Sequence, residues 1–145
     1  MKYTYLILIA LTLFSCKQKQ AINNTANENA SYFIIGQGGG FSGQYEQFKI
    51  SSTGIIERFD ANSQEYLGLR SLDKKEVKPL FDEIKQLGLY EYELDQRGNM
   101  TSYILLPAEK NQAENNIYWP MGEAEVDQGL QSFFDKAWAI CKADQ

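Results

Sequence analysis

The chain has 145 residues and a formal net charge of −5, with 14 basic residues, 19 acidic residues and no histidine. That length fits one domain. The missing imidazole excludes Ser-His-Asp and Cys-His catalysis and the usual zinc sites, and an acidic chain with no basic stripe is a poor partner for nucleic acid.

Residues 1–16, MKYTYLILIALTLFSC, read as a secretory signal. Lys2 supplies the positive start, and residues 5–14 form an apolar core too short for a comfortable transmembrane helix. The segment ends Leu13-Phe14-Ser15-Cys16, which resembles the lipobox of bacterial lipoproteins. The resemblance implies a signal peptide over 1–15, cleavage before Cys16 and acylation of that cysteine. Two or more acyl chains there would hold the protein firmly on a membrane. Lys17 follows where an aspartate would favour inner-membrane retention, and residues 17–20 lack an acidic cluster of the surface-display kind. By that analogy the address is the outer membrane, facing the periplasm.

Residues 17–30, KQKQAINNTANENA, are polar and Asn-rich. They carry too little apolar surface to order themselves, so 16–30 is read as an acylated cysteine and a disordered tether. The folded module is then 31–145. Setting aside Lys2, Lys17, Lys19 and Glu28, it has 11 basic and 18 acidic residues, a net charge of −7. With Cys16 acylated, Cys141 is the remaining thiol, which rules out an intramolecular disulfide and reads as a small buried hydrophobe.

The module opens with YFIIGQGGGFSGQYEQFKI, residues 32–50. Residues 32–35 are aromatic and β-branched, a strand signal. Five glycines follow within residues 36–43 and read as a loop. From Gln44 the alternation of a strand returns, with Glu46, Phe48 and Ile50 on one face and Tyr45, Gln47 and Lys49 on the other. Gly38, Gly40 and Gly43 match G-x-G-x-x-G, but the dinucleotide form of that motif must open a helix and here a strand follows. The kinase form sits between strands, yet the chain lacks its lysine, H-R-D and D-F-G partners. A hairpin connection is the plainer reading. Phe41 at its tip is a candidate partner anchor.

A turn at residues 51–54 leads to a third strand over 54–59, and a turn at 60–63 to a fourth over 64–70. The period then changes. Val77, Leu80, Phe81, Ile84 and Leu87 recur at helical spacing, Asp73 and Glu76 resemble a capping pair, and Gly88 suits the C′ position. Pro79 lies inside that helix and predicts a kink or a separate first turn. Residues 89–94 read as extended, 95–99 as a turn, 100–106 as a strand, 108–115 as a polar loop and 116–119 as a last strand. A second helix is expected over 123–142, with Val126, Leu130, Phe133, Ala137 and Ile140 on one stripe. The order β-β-β-β-α-β-β-α predicts an α+β fold, an antiparallel meander with two helices packed on one face.

Other chemistry finds little footing. Ser71-Leu72-Asp73-Lys74 matches S-x-x-K without its S-D-N and K-T-G partners. The run from Asp60 begins like a calcium loop but has Glu65 where glycine belongs and Ser71 where glutamate belongs. No cofactor is expected. The spacing of the 18 acids singles out no pair for glycoside hydrolysis, which leaves a carboxylate-based hydrolase as one alternative. Seven tyrosines, seven phenylalanines and two tryptophans lie in the module. Most are expected to fill the core. Gly39, Gly40, Phe41, Ser42 and Gly43, together with Tyr118 and Trp119, are the candidate binding residues, and a carbohydrate or small-ligand binder is the other alternative.

Gly39-Gly40-Phe41-Ser42-Gly43 after a first strand resembles the G-G-F-small-G opening of emfourin-type domains, and a helix, a later strand and a closing helix follow in similar order. Some members of that family inhibit thermolysin-like metalloproteases. The resemblance implies a protein-binding role; with the lipid anchor, the whole chain is read as a non-catalytic module whose partner is an envelope protein.

Overall fold

The computed structural model describes residues 30–41, 43–122 and 126–143. Cys16, the signal segment, most of the expected tether and Ser42 lie outside the described residues. The elements run β1 (Tyr32–Gly39), β2 (Gln44–Ser51), β3 (Ile55–Asp60), β4 (Glu65–Ser71), α1 (Lys74–Gln86), β5 (Met100–Leu106), β6 (Asn115–Pro120) and α2 (Gln128–Lys142). The strands form one sheet in the order β4-β3-β2-β1-β5-β6, with every pair antiparallel. This is the expected α+β fold. The first four strands make the meander, and α1 carries the chain back so that β5 joins the other side of β1.

Strand alternation sorts the sheet into two faces. Phe33 and Ile35 of β1 share a face with Phe48, Ile50, Ile56, Ile104, Ile117 and Trp119, and these meet Val77, Leu80 and Ile84 of α1 and Leu130, Phe133, Phe134 and Ala137 of α2. Phe33 touches both helices, at 5.3 Å from the Phe81 ring and 5.7 Å from the Phe133 ring. Burying one such ring stabilises by roughly 1.5–3 kcal/mol, so the helix-facing side holds the fold together. Cys141 is buried in this core.

Four expectations are corrected. First, the glycine loop begins later. Gly36, Gln37, Gly38 and Gly39 continue β1, paired to β2 on one side and β5 on the other. The two flanking ladders satisfy their backbone groups, and the Tyr103 ring lies directly over Gly36, where a Cβ would come within 2.1 Å of it. Second, α1 runs unbroken through Pro79. The Glu76 carboxylate accepts the Asp73 amide at 2.9 Å and starts the helix as expected. Pro79 lies on the exposed side, where water can take the carbonyl that the missing N–H leaves free.

Third, residues 89–91 form a 3₁₀ turn, not an extended segment, after Gly88 in the left-handed conformation at φ 62°. Leu89 is fully buried, and the Asn115 side-chain amide donates to the carbonyls of Leu89 and Tyr92 at 2.7 and 2.8 Å. Residues 94–96 then run beside β6. The Tyr118 amide donates to Leu94 and the Gln96 amide to Tyr118, both at 2.9 Å. Fourth, α2 begins at Gln128. Asp127 caps it by accepting from the amides of Gly129 and Leu130 at 2.9 and 3.1 Å.

One irregularity has a consequence for the core. The β3–β4 register shifts between Ile56 and Glu57, so that Ile56 faces Arg70 while Glu57 faces Gly68. Leu69 is the extra residue of a bulge. The shift turns Arg70 onto the helix face, where its guanidinium donates to the carbonyl of Ile140 in α2.

Candidate functional site

The β1–β2 hairpin closes through the four residues after Gly39. Gly39, Gly40 and Gly43 have φ of 121°, 71° and 59°, conformations that cost a side-chain-bearing residue roughly 1–2 kcal/mol. The Gly40 amide donates to Asn99 at 2.6 Å and the Gly43 amide to Gly40 at 3.2 Å. These bonds fix the base of the turn and leave Phe41 at its apex, wholly exposed. No core contact explains an aromatic ring there.

The surroundings of Phe41 were not legible as a site in the sequence. Gly39 pairs with Met100, Gly38 with Tyr45, and the Met121 amide donates to the Met100 carbonyl at 2.9 Å. Phe41, Tyr45, Met100 and Met121 therefore collect at one end of the sheet, and all four are exposed. The two methionines flank the strands that hold the hairpin. Nothing in the sequence groups them with Phe41, which lies 59 residues before Met100 and 80 before Met121.

Tyr118 and Trp119, adjacent in β6, part company. Trp119 is 2 % exposed, stands edge-on to Phe134 at 5.1 Å and donates its indole N–H to Gln131 at 3.2 Å. It belongs to the core and leaves the candidate set. Tyr118 lies on the helix-free face, where the Arg97 guanidinium covers its ring at 3.8 Å. Tyr103 is next to it at 6.0 Å and Tyr45 next again at 6.4 Å. The Tyr103 hydroxyl donates to Gln47 at 2.7 Å, and the Gln47 amide donates to the Tyr66 hydroxyl. Lys49 sits over the rings of Tyr32 and Tyr66 and pairs with Glu57 at 2.8 Å. Cations cover the rings of Tyr32, Tyr66 and Tyr118, and Tyr103 is only 5 % exposed, whereas Tyr45 at the hairpin end stays open. Apart from Tyr45, the face is a second small packed layer.

The ionisable groups point the same way. Asp60 accepts from Ser63 and Asn62, which lowers its carboxyl below the usual value. A general acid needs the opposite shift. Glu46 is held by Arg58 at 3.2 Å and Lys142 at 2.9 Å. Burial pushes the Cys141 thiol up to about 12, far from a reactive thiolate. Among the described residues no group of His, Cys, Asp or Glu is placed to hold a metal ion, and no helix is long and apolar enough to cross a membrane.

No protein-family model, curated protein or solved structure matches the chain.

Proposed function

We propose that this protein is a non-catalytic protein-binding module, held on the cell envelope through a lipid on Cys16, and that it meets its partner with the hairpin end of its sheet. The observation that carries this reading is the gathering of Phe41, Tyr45, Met100 and Met121, four of the six exposed large hydrophobics among the described residues, at that end. Aromatic and methionine side chains are enriched at protein interfaces, and methionine adapts to an irregular partner. Apart from Tyr45, the tyrosines of the open face are tilted and covered, which disfavours a glycan platform.

Position along β1 supports the same reading. Cys16 precedes the start of β1 in sequence, whereas the hairpin lies at its far end. The eight residues of β1 carry the chain about 24 Å from Tyr32 to the hairpin, which sets Phe41 at the opposite end of the strand from Tyr32. The G-G-F-small-G resemblance makes a thermolysin-like metalloprotease of the envelope the first partner to try.

The test is capture from an envelope extract by the lipidated protein, followed by titration with the purified partner. Phe41→Ala should weaken binding by about 30-fold, the scale of an aromatic hot spot, and leave the melting temperature unchanged. A partner bound equally by both forms would remove the hairpin from the site.

A further inference from the structure

Leu67 and Leu69 are 50 % and 37 % exposed, and a site confined to the hairpin leaves them to water. They belong to an open groove of about 1180 Å³ that begins at Gly43 and Met100, beside the hairpin, and crosses β2 and β3 to β4, with Trp138 of α2 in its wall. Strand register sets its floor. Leu67 pairs with Arg58 and Arg58 with Phe48, which places Leu67 and Arg58 on the helix face, and Glu46 shares that face with Phe48. α2 ends at Lys142, whose ammonium reaches Glu46 at 2.9 Å, so the groove lies where the helix stops. It is larger than the roughly 300–1,000 Å³ of a small-molecule pocket and suits a protruding piece of protein.

Charge says what sort of piece. Among the described residues the groove is lined by two cations, Arg58 and Lys142, and two carboxylates, Glu46 and Asp60. All four are engaged. Glu46 holds Arg58 at 3.2 Å and Lys142 at 2.9 Å, and Asp60 accepts from the backbone amides of Asn62 and Ser63. A charged occupant would have to break one of these contacts or lose its own hydration unpaired. The groove therefore calls for an uncharged segment with an apolar tip, and the chain itself supplies one. Residues 36–44, GQGGGFSGQ, carry no charge. Phe41 at their apex is wholly exposed, so it does not fill the groove of its own copy. The bonds from Gly40 to Asn99 and from Gly43 to Gly40 already fix the turn, so little freedom is lost when it docks.

We propose that two copies of this chain pair about a two-fold axis at the hairpin end, each seating its Phe41 between Leu67, Leu69 and Trp138 of the other. Hairpin and groove share one end of the sheet, so the exchange is reciprocal and the contact closes on itself. It covers both leucines together with Phe41. One consequence rests on the partner reading given above. The pair and the envelope partner compete for Phe41, so partner binding draws the protein out of the pair. The pairing itself requires no partner and is tested without one.

The test is sedimentation equilibrium of the full-length protein in density-matched detergent, where a monomer–dimer equilibrium is expected and nothing larger. Phe41→Ala, and Leu67→Gln combined with Leu69→Gln, should each weaken pairing about 30-fold, the scale of an aromatic hot spot, with melting temperatures unchanged. An equimolar mixture of the two variants should pair better than either alone. The Phe41 of the leucine variant still finds an intact groove on the Phe41→Ala copy. Raising salt from about 0.05 to about 0.5 M should tighten pairing, because it screens the repulsion between two acidic modules while the contact itself adds no net charge. A protein that stays monomeric up to about 100 μM, association beyond two copies, pairing indifferent to Phe41→Ala, or a mixture no better than its components would each overturn the proposal. An envelope protein that binds through Phe41 to a chain that never pairs would remove the pairing and leave the partner reading standing.

Discussion

Arg70 leaves the edge strand to donate to the main-chain carbonyl of Ile140, two residues before the end of α2. The last four carbonyls of a helix have no partner within it, and a cation there also meets the negative end of the helix dipole. The contact joins the outermost strand to the closing helix, 70 residues apart in sequence. Arg70→Met keeps the aliphatic stem and removes the bond. It should lower stability by roughly 1.5–3 kcal/mol, the range for a hydrogen bond from a charged group, read as a fall in melting temperature. Arg70→Lys should recover part of the loss.

Gly36 and Gly43 separate two uses of glycine. At Gly36 a Cβ would collide with the Tyr103 ring, while at Gly43 it would meet nothing within 4 Å but would adopt φ 59°. Gly36→Ala should therefore cost about 3 kcal/mol or more, the upper range of overpacking. Gly43→Ala should cost about 1 kcal/mol and Gly43→Asn less. Chemical denaturation of the three variants measures the order, and equal losses would contradict this account of Tyr103.

Alkaline pH should unfold the module earlier than an ordinary tyrosine titration predicts. Burial raises the Cys141 thiol from 9.0 to about 12 and Tyr90 from 10.0 to about 12, with Glu109 adding to the second shift. Tyr66 and Tyr103 are also raised, mainly by burial. The unfolded chain then loses these protons first. Stability is whole below pH 9 and declines as pH climbs from 9 towards 12. Cys141→Ala should delay the onset of that decline to near pH 10 in denaturation curves taken at stepped pH.

Pro79 occupies a helical position inside an unbroken α1. Proline in an exposed helix interior costs about 3 kcal/mol against alanine, although a helix already settled around it recovers only part on replacement. Pro79→Ala should raise stability by about 1–2 kcal/mol, seen as a higher denaturation midpoint with an unchanged slope. A lower midpoint would mean that the ring contributes packing in α1.

Where local pattern and tertiary context agreed, the sequence was readable. The period-2 runs at 44–50 and 100–106 and the 3.6-residue stripes of α1 and α2 marked their elements because each buries one face. Gly36 and Gly38 have no side chain to declare a face, and the groups that keep them in a strand, Tyr103 and Tyr45, are supplied by other strands. Residues 89–91 lost their extended reading to a buried Leu89 and to Asn115, which arrives much later in the chain. Trp119 looked like a surface aromatic beside Pro120. Register with Ser102 set it on the helix side. Of the site, Phe41 was visible as an odd residue in a turn, but Met100 and Met121 became neighbours only once β5 and β6 had paired.

The run of residues 94–96 along β6 limits how copies of this protein can associate. A sheet with two free edges can add subunits at both and grow without end. Here one edge is already occupied by the chain itself, through the amides of Tyr118 and Gln96. Among the described residues that leaves β4 as the edge with no strand beside it, so strand pairing between copies would join them two at a time.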